Sequence, residues 1–139
     1  MSMYSLHRFF VKILLNISRS KYIPSSKRYL LLKLAGVHIK GKCWIGEDVI
    51  FDSMYPENIE IEDGALIAMR SIILSHFYDH ENDRFVKGKV HIGKRAYIFA
   101  NSIICQPCTI GDFSLIAAGG VVTKDIPSRQ IWGGTGKVY

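Results

Sequence analysis

The first 46 residues contain no aspartate or glutamate. They hold nine of the 18 lysines and arginines, while all 12 acidic residues lie beyond them. The net charge of +6 therefore conceals a basic N-terminal block and an acidic remainder. Such a block suits a negative partner: a membrane surface, a phosphorylated cofactor or a nucleotide-linked substrate. A nucleic-acid partner is disfavoured, because no helix-turn-helix, zinc-finger or RNP pattern occurs and the aromatics are not interleaved with the charge. No stretch approaches the roughly 20 apolar residues of a membrane-spanning helix. The N-terminus lacks the features of a signal peptide, since Lys12 interrupts its apolar run and no A-x-A site follows. With only three cysteines, this points to a reducing, cytoplasmic compartment, with the inner face of the membrane as a further option. A length of 139 residues fits one domain with a modest core.

What is present is a period of six. Ile92, Ile98, Ile104, Ile110, Ile116 and Val122 recur at that spacing, which neither a helix nor an ordinary strand requires. Ile39, Ile45 and Phe51 share the register, as do Ile61, Ile67 and Ile73. Two positions earlier the side chain is usually small: Cys43, Val49, Ala65, Ser71, Ala96, Ser102, Cys108, Ser114 and Gly120. This is a hexapeptide repeat, and it implies short parallel strands wound into a three-sided prism. Three hexads make an 18-residue coil, giving four coils over 39–51, 61–73, 92–104 and 110–122. Each aliphatic points inward, and the small partner leaves room at the apex. The exposed faces and ends of such a prism favour self-association.

Residues 1–36 read as a helical segment and 37–139 as the solenoid domain. Leu6, Phe9, Phe10, Ile13, Leu14 and Ile17 form one apolar helix face beside Arg8 and Lys12. After Tyr22-Ile23-Pro24, Ser25 and Ser26 offer an N-cap for a second helix that ends at Gly36. The helices either cover the open end of the solenoid or lay the first helix on a membrane. Cys105 and Cys108 form a C-x-x-C pair, but the register puts Cys108 in an inward slot and no second pair completes a zinc site.

The register breaks twice. Ten residues separate Phe51 from Ile61, and nineteen separate Ile73 from Ile92. Extra residues must loop outward, and such loops build sites. The longer excursion, Ser75–Lys89, carries His76, Asp79, His80, Glu81 and Asp83. Histidine is the natural general base near neutral pH. His76 leaves a strand and is expected to be held rigidly, whereas His80 lies farther out.

Together these residues resemble the left-handed β-helix acyltransferases, in particular the galactoside, maltose and capsule or lipopolysaccharide O-acetyltransferases. The similarity spans about residues 29–134. It is carried by the repeat, by Ile73–His76 with its loop, and by IAAGGVVTKDIP over 116–127. The resemblance implies a left-handed all-β solenoid, usually a homotrimer with its site between two subunits. It implies transfer of an acetyl group from acetyl-CoA to a hydroxyl of a sugar or polysaccharide precursor, free or linked to a nucleotide or lipid. His76 matches the catalytic histidine. Asp52, Tyr97 and His80 fall at acceptor-contacting places. Ala100, Ala118, Thr123, Lys124, Gly133 and Gly134 match positions along the cofactor, with Lys124 near the adenosine phosphate. One departure is clear: the family often continues G-x-P-A-K, and Gly134-Thr135-Gly136-Lys137 lacks that proline.

No metal is required for this chemistry, and no cysteine is placed as a nucleophile. A zinc hydrase of the carbonic-anhydrase type would need three converging histidines, for which His76, His80 and His91 are the close set. A non-catalytic solenoid is the other alternative.

Overall fold

The computed structural model describes residues 2–137. Helix α1 (Met3–Ser18) starts at Ser2, whose hydroxyl accepts the Ser5 N–H at 3.2 Å. Helix α2 (Arg28–Leu34) follows a turn. Four coils then stack: β1 (His38–Ile39), β2 (Trp44–Ile45) and β3 (Ile50–Phe51); β4 (Ile59–Ile61), β5 (Leu66–Ile67) and β6 (Ile72–Ile73). A hairpin of β7 (His76–Asp79) and β8 (Arg84–Lys87) interrupts. The coils resume with β9 (Val90–Ile92), β10 (Tyr97–Ile98), β11 (Ile103–Ile104), β12 (Thr109–Ile110), β13 (Leu115–Ile116) and β14 (Val121–Val122). Strands β15 (Ile131–Gly133) and β16 (Gly136–Lys137) finish the described chain.

Three parallel sheets form the prism: β1-β4-β9-β12, β2-β5-β10-β13-β15 and β3-β6-β11-β14. The six-residue register is the pairing register, with Ile39 beside Ile61, Ile98 beside Ile116 and Ile104 beside Val122. The inward aliphatics from Ile45 to Val122 are buried, and so are the small partners from Cys43 to Ser114. Buried serines keep their hydroxyls satisfied: Ser102 Oγ donates to the Phe99 carbonyl at 2.7 Å, and Ser114 Oγ to that of Pro127 at 2.7 Å. The chain adds part of a fifth coil, in which Trp132 replaces the aliphatic and stacks beside Ile116.

In the second to fourth coils two corners differ from the third, and the first coil shares one of them. The residue three past the inward aliphatic is left-handed at Asp48, Gly64, Arg70, Arg95, Asn101, Phe113 and Gly119. A side chain there costs about 1 kcal/mol, so the turn is tight and repeated at some expense. The third corner, after Phe51, Ile73, Ile104 and Val122, has no such turn. There the chain is free to leave the prism, and both long excursions leave there. Gly111 answers a different demand: a Cβ on it would sit 2.3 Å from the Ser128 backbone nitrogen in the next coil.

The faces are unequal. Sheet β1-β4-β9-β12 presents His38, Glu60, His91 and Thr109 outward. The other two present Trp44, Leu66, Tyr97, Leu115 and Ile131, and Ile50, Ile72, Ile103 and Val121. Two flat faces are therefore apolar.

The helices do cover the first coil, but with another stripe than the hydropathy suggests. Val11, Leu15 and Ser18 are the buried residues of α1, joined in the core by Leu32, Ala35 and Val37. Leu6, Phe9, Phe10, Ile13 and Ile17 are exposed, and Leu14 packs only in part. The capping expectation for α2 also changes. Lys27 is its N-cap without a side-chain bond, while the Ser25 carbonyl accepts the Ile45 N–H. Buried Arg28 locks the interhelix turn onto the coil, donating to the carbonyls of Ser20, Ile23 and Ile45.

Candidate active site

Position 52 follows Phe51 as position 74 follows Ile73, and β3 pairs in register with β6. The two excursions at the third corner therefore lie one coil apart, which brings Asp52 to Ser75 and His76. Asp52 Oδ2 accepts the Ser75 N–H at 2.9 Å and the Ser75 hydroxyl at 3.0 Å, and it pairs with His76 Nδ1. Its other oxygen accepts from the N–H groups of Met54 and Tyr55 at 2.9 and 3.2 Å. Burial would push the Asp52 carboxyl up. The His76 bond and the three backbone N–H bonds outweigh that and hold it below the usual carboxylate range. With Nδ1–H donated to Asp52, Nε2 of a neutral His76 is left as the proton acceptor.

The imidazole is braced by aromatic edges, with Tyr55 at 5.7 Å and Phe85 at 6.0 Å between ring centroids. Its side chain is 19 % exposed, whereas that of Asp52 is 1 % exposed. His76 and Asp52 line a cavity of about 330 Å³ between α1 and the first two coils, together with Lys12, Asn16, Arg19 and Ser53.

Asp52, expected at the acceptor, has a buried carboxylate with both oxygens already engaged, one of them by His76. The expected polar loop is a β-hairpin, and His80 sits exposed in its turn, outside the cavity. Tyr97 projects from a different sheet, between Leu66 and Leu115, and lines a separate groove with Trp44.

The positions matched to the cofactor fall into two groups. Ala100 and Ala118 occupy the corner before β11 and β14, where the Gly119 N–H donates to the Ala100 carbonyl at 2.9 Å. Gly134 joins them, its carbonyl accepting the Val121 N–H at 2.7 Å, with Gly133 beside it at the end of β15. Thr123 and Lys124 lie at the other end of β14, in the His76 corner but two coils away. Lys124 Nζ stands 5.2 Å from the centre of the Trp132 ring. A whole strand separates the groups, so one chain alone does not gather His76 with Ala100 and Ala118.

Other chemistry finds less support. The three thiols are free. Burial pushes the Cys43 thiol up to about 11 and the Cys108 thiol up to about 12, and it raises Cys105 as well. Such thiols are poor nucleophiles. His76, His80 and His91 do not converge. Among the described residues, the group of three that could hold a metal is Glu60, Glu62 and His91. Lys89 and Lys40 already pair with Glu60, holding it down to about 2.

No protein-family model matches the chain. Its sequence is 31 % identical over 130 residues to the Bacillus subtilis (strain 168) protein called "Putative acetyltransferase YvoF", covering 90 % of this chain and 74 % of that one. A maltose O-acetyltransferase from Clostridium difficile 630 superposes with a TM-score of 0.70 at 22 % identity, over 100 % of this chain and 90 % of that chain. A galactoside acetyltransferase in complex with coenzyme A gives 0.60 at 26 % identity, over 94 % and 77 %. The fold is the left-handed parallel β-helix with an N-terminal helical segment, and the chain belongs to the hexapeptide-repeat acetyltransferases.

Proposed function

We propose that this chain moves an acetyl group from acetyl-CoA to a hydroxyl of a sugar or polysaccharide precursor, with His76 as general base. The observation that carries this reading is the Asp52–His76 pair at the wall of an open cavity. His76 Nε2 takes the proton of the acceptor hydroxyl as its oxygen attacks the thioester carbonyl carbon. A backbone N–H steadies the oxyanion. The carbon–sulfur bond breaks, and the imidazolium returns the proton to the departing thiolate. No acyl-enzyme forms, because both reactants are held side by side. Ser75 does not serve as a nucleophile, since its hydroxyl is buried and engaged by Asp52 and the Tyr55 carbonyl.

The working form is a homotrimer with the site between two copies. Two observations support it. His76 and the cofactor corner at Ala100 and Ala118 lie on different edges of one prism, and two faces are apolar. A neighbour would bring its cofactor corner to the His76 corner, and Lys124 with Thr123 would meet the nucleotide end.

No helix among the described residues is long and apolar enough to cross a membrane. The exposed apolar side of α1, with Phe9 and Phe10, and the basic N-terminal block support a weak contact with the anionic inner face of a membrane.

The direct test is thiol release from acetyl-CoA across a panel of sugars, sugar phosphates and nucleotide sugars. Acceptor-dependent release is expected. Hydration of carbon dioxide by a zinc-loaded protein, with no acetyl transfer, would overturn the reading.

A further inference from the structure

The polar side of α1 faces the cavity that holds His76. Arg8, Lys12, Asn16 and Arg19 recur at spacings of four, four and three, which sets them along one stripe of the helix. Both ends of the stripe are tied to the first coil. Arg8 Nη1 donates to the Met54 carbonyl, and its guanidinium lies 5.8 Å from the centre of the Tyr55 ring. Arg19 donates from Nε and Nη2 to Asp48 Oδ1 at 2.8 and 2.7 Å. The middle is not tied. Among the described residues, Lys12 and Asn16 have no side-chain hydrogen bond or ion pair, and both line the cavity.

The charges of the cavity wall do not balance around this point. Its one carboxylate, Asp52, is buried and committed to His76 and Ser75. Asp48, the partner of Arg19, does not line the cavity. Lys87 adds a further cation nearby, 4.8 Å from the Tyr55 ring centre. A lone surface lysine is normally just solvated. Lys12 differs in its place: helix pinning at Arg8 and Arg19 holds its stem at the same cavity as the general base, with Asn16 as a flanking donor.

Resting on the acetyl-transfer reading above, we propose that the acceptor carries a phosphate, and that Lys12 and Asn16 bind it, beside the Asp48-tied Arg19, while a hydroxyl of the attached sugar meets His76. Lysine donors on a phosphate form charge-assisted hydrogen bonds, the stronger class. Asn16 adds a neutral amide donor. The phosphate belongs to a sugar phosphate, a nucleotide-linked sugar or a lipid-linked sugar, which share this chemistry. Neutral sugars lack the anchor and bind weakly.

The experiment compares one hexose in four forms on the full-length protein: free, as its 1-phosphate, as its uridine diphosphate conjugate, and as a short polyprenyl diphosphate conjugate in detergent. At least one phosphorylated form should exceed the free sugar about tenfold or more in kcat/KM, and the winning form identifies the source. Lys12→Gln should raise the KM for that form about tenfold while leaving the KM for acetyl-CoA within twofold. Lys21→Gln, which removes the same charge outside the cavity, should change neither. A free sugar used as well as its phosphorylated forms would overturn the proposal. So would a preference that survives Lys12→Gln.

Calorimetry with uridine diphosphate separates this idea from the one beneath it. Binding to wild type and to His76→Ala, with loss in Lys12→Gln, supports the phosphate site even where no acceptor is turned over. Turnover of sugars without any uridine diphosphate or pyrophosphate binding removes the phosphate site and leaves acetyl transfer standing.

Discussion

Asp52 and His76 stand 24 residues apart in sequence and share a hydrogen bond between Oδ2 and Nδ1. The pairing of β3 with β6 creates it, by placing the two outward excursions one coil apart. Asp52→Asn should therefore act through His76. A side-chain amide can donate to Nδ1 and so favours the wrong tautomer, with the proton on Nε2. A fall of about 10²-fold in kcat is expected, with little change in the KM for acetyl-CoA. Equal loss in both parameters would point to a collapsed site instead.

The same carboxylate predicts a dependence of stability on pH. Its folded pKa lies below the ordinary value. The stabilisation is therefore present above the unfolded pKa of about 3.9, and it is lost as pH falls through the lower folded value. Thermal melts of wild type should drop across that acid window. Asp52→Asn should be less stable near neutral pH and show a shallower acid drop.

The repeat was legible because each inward position obeys one local rule. From Ile92 to Val122 every sixth residue is buried, and the small partners fit the apex. The place of His76 was legible because it follows Ile73-Leu74-Ser75 at the exit of a core strand, where the register breaks. The Asp52–His76 pairing was not read from the sequence because the two residues lie in different coils, although the register of 51 with 73 already implied the stacking. The α1 face was misread because two apolar stripes compete on that helix. Phe9 and Phe10 dominate the hydropathy, but Val11 and Leu15 fit the end of the first coil. Trp132 was missed because β15 stacks on β13 sixteen residues later, not eighteen.

The core makes a quantitative expectation. Ile98 is fully buried between Ile67 and Ile116. Ile98→Ala should cost about 2–5 kcal/mol through lost burial and the cavity left behind, read as a lowered midpoint in denaturant. A cost below about 1 kcal/mol would mean that the coils relax around the gap.

Shared use of the site between copies can be tested by mixing. Sedimentation should show a species near three times 15.7 kDa. His76→Ala lacks the base, and Ala118→Trp fills the cofactor corner. Mixed trimers of the two inactive variants should regain part of the activity, because some clefts receive both intact halves. No recovery in verified mixed trimers would place base and cofactor on one copy.

Lys124 should serve the nucleotide end of the co-substrate. Lys124→Glu should raise the KM for acetyl-CoA more than it lowers kcat, since it acts on ground-state binding. The effect should shrink at high salt. An unchanged KM at low salt would move the nucleotide elsewhere.

Exposed Phe9 and Phe10 give the membrane contact a simple assay. Co-sedimentation with anionic vesicles should be measurable, weaken at high salt, and fall in Phe9→Ser/Phe10→Ser protein that still assembles. Indifference of wild type to anionic vesicles would leave α1 as a cap alone.

The central claim is that His76 takes the proton from the acceptor hydroxyl. The most direct measurement is kcat of His76→Ala on an acceptor that wild type acetylates, with circular dichroism and sedimentation recorded on the same samples. A loss of about 10²–10⁴-fold is expected, with fold and assembly unchanged. Near-full kcat in a folded, assembled His76→Ala protein would contradict the assignment.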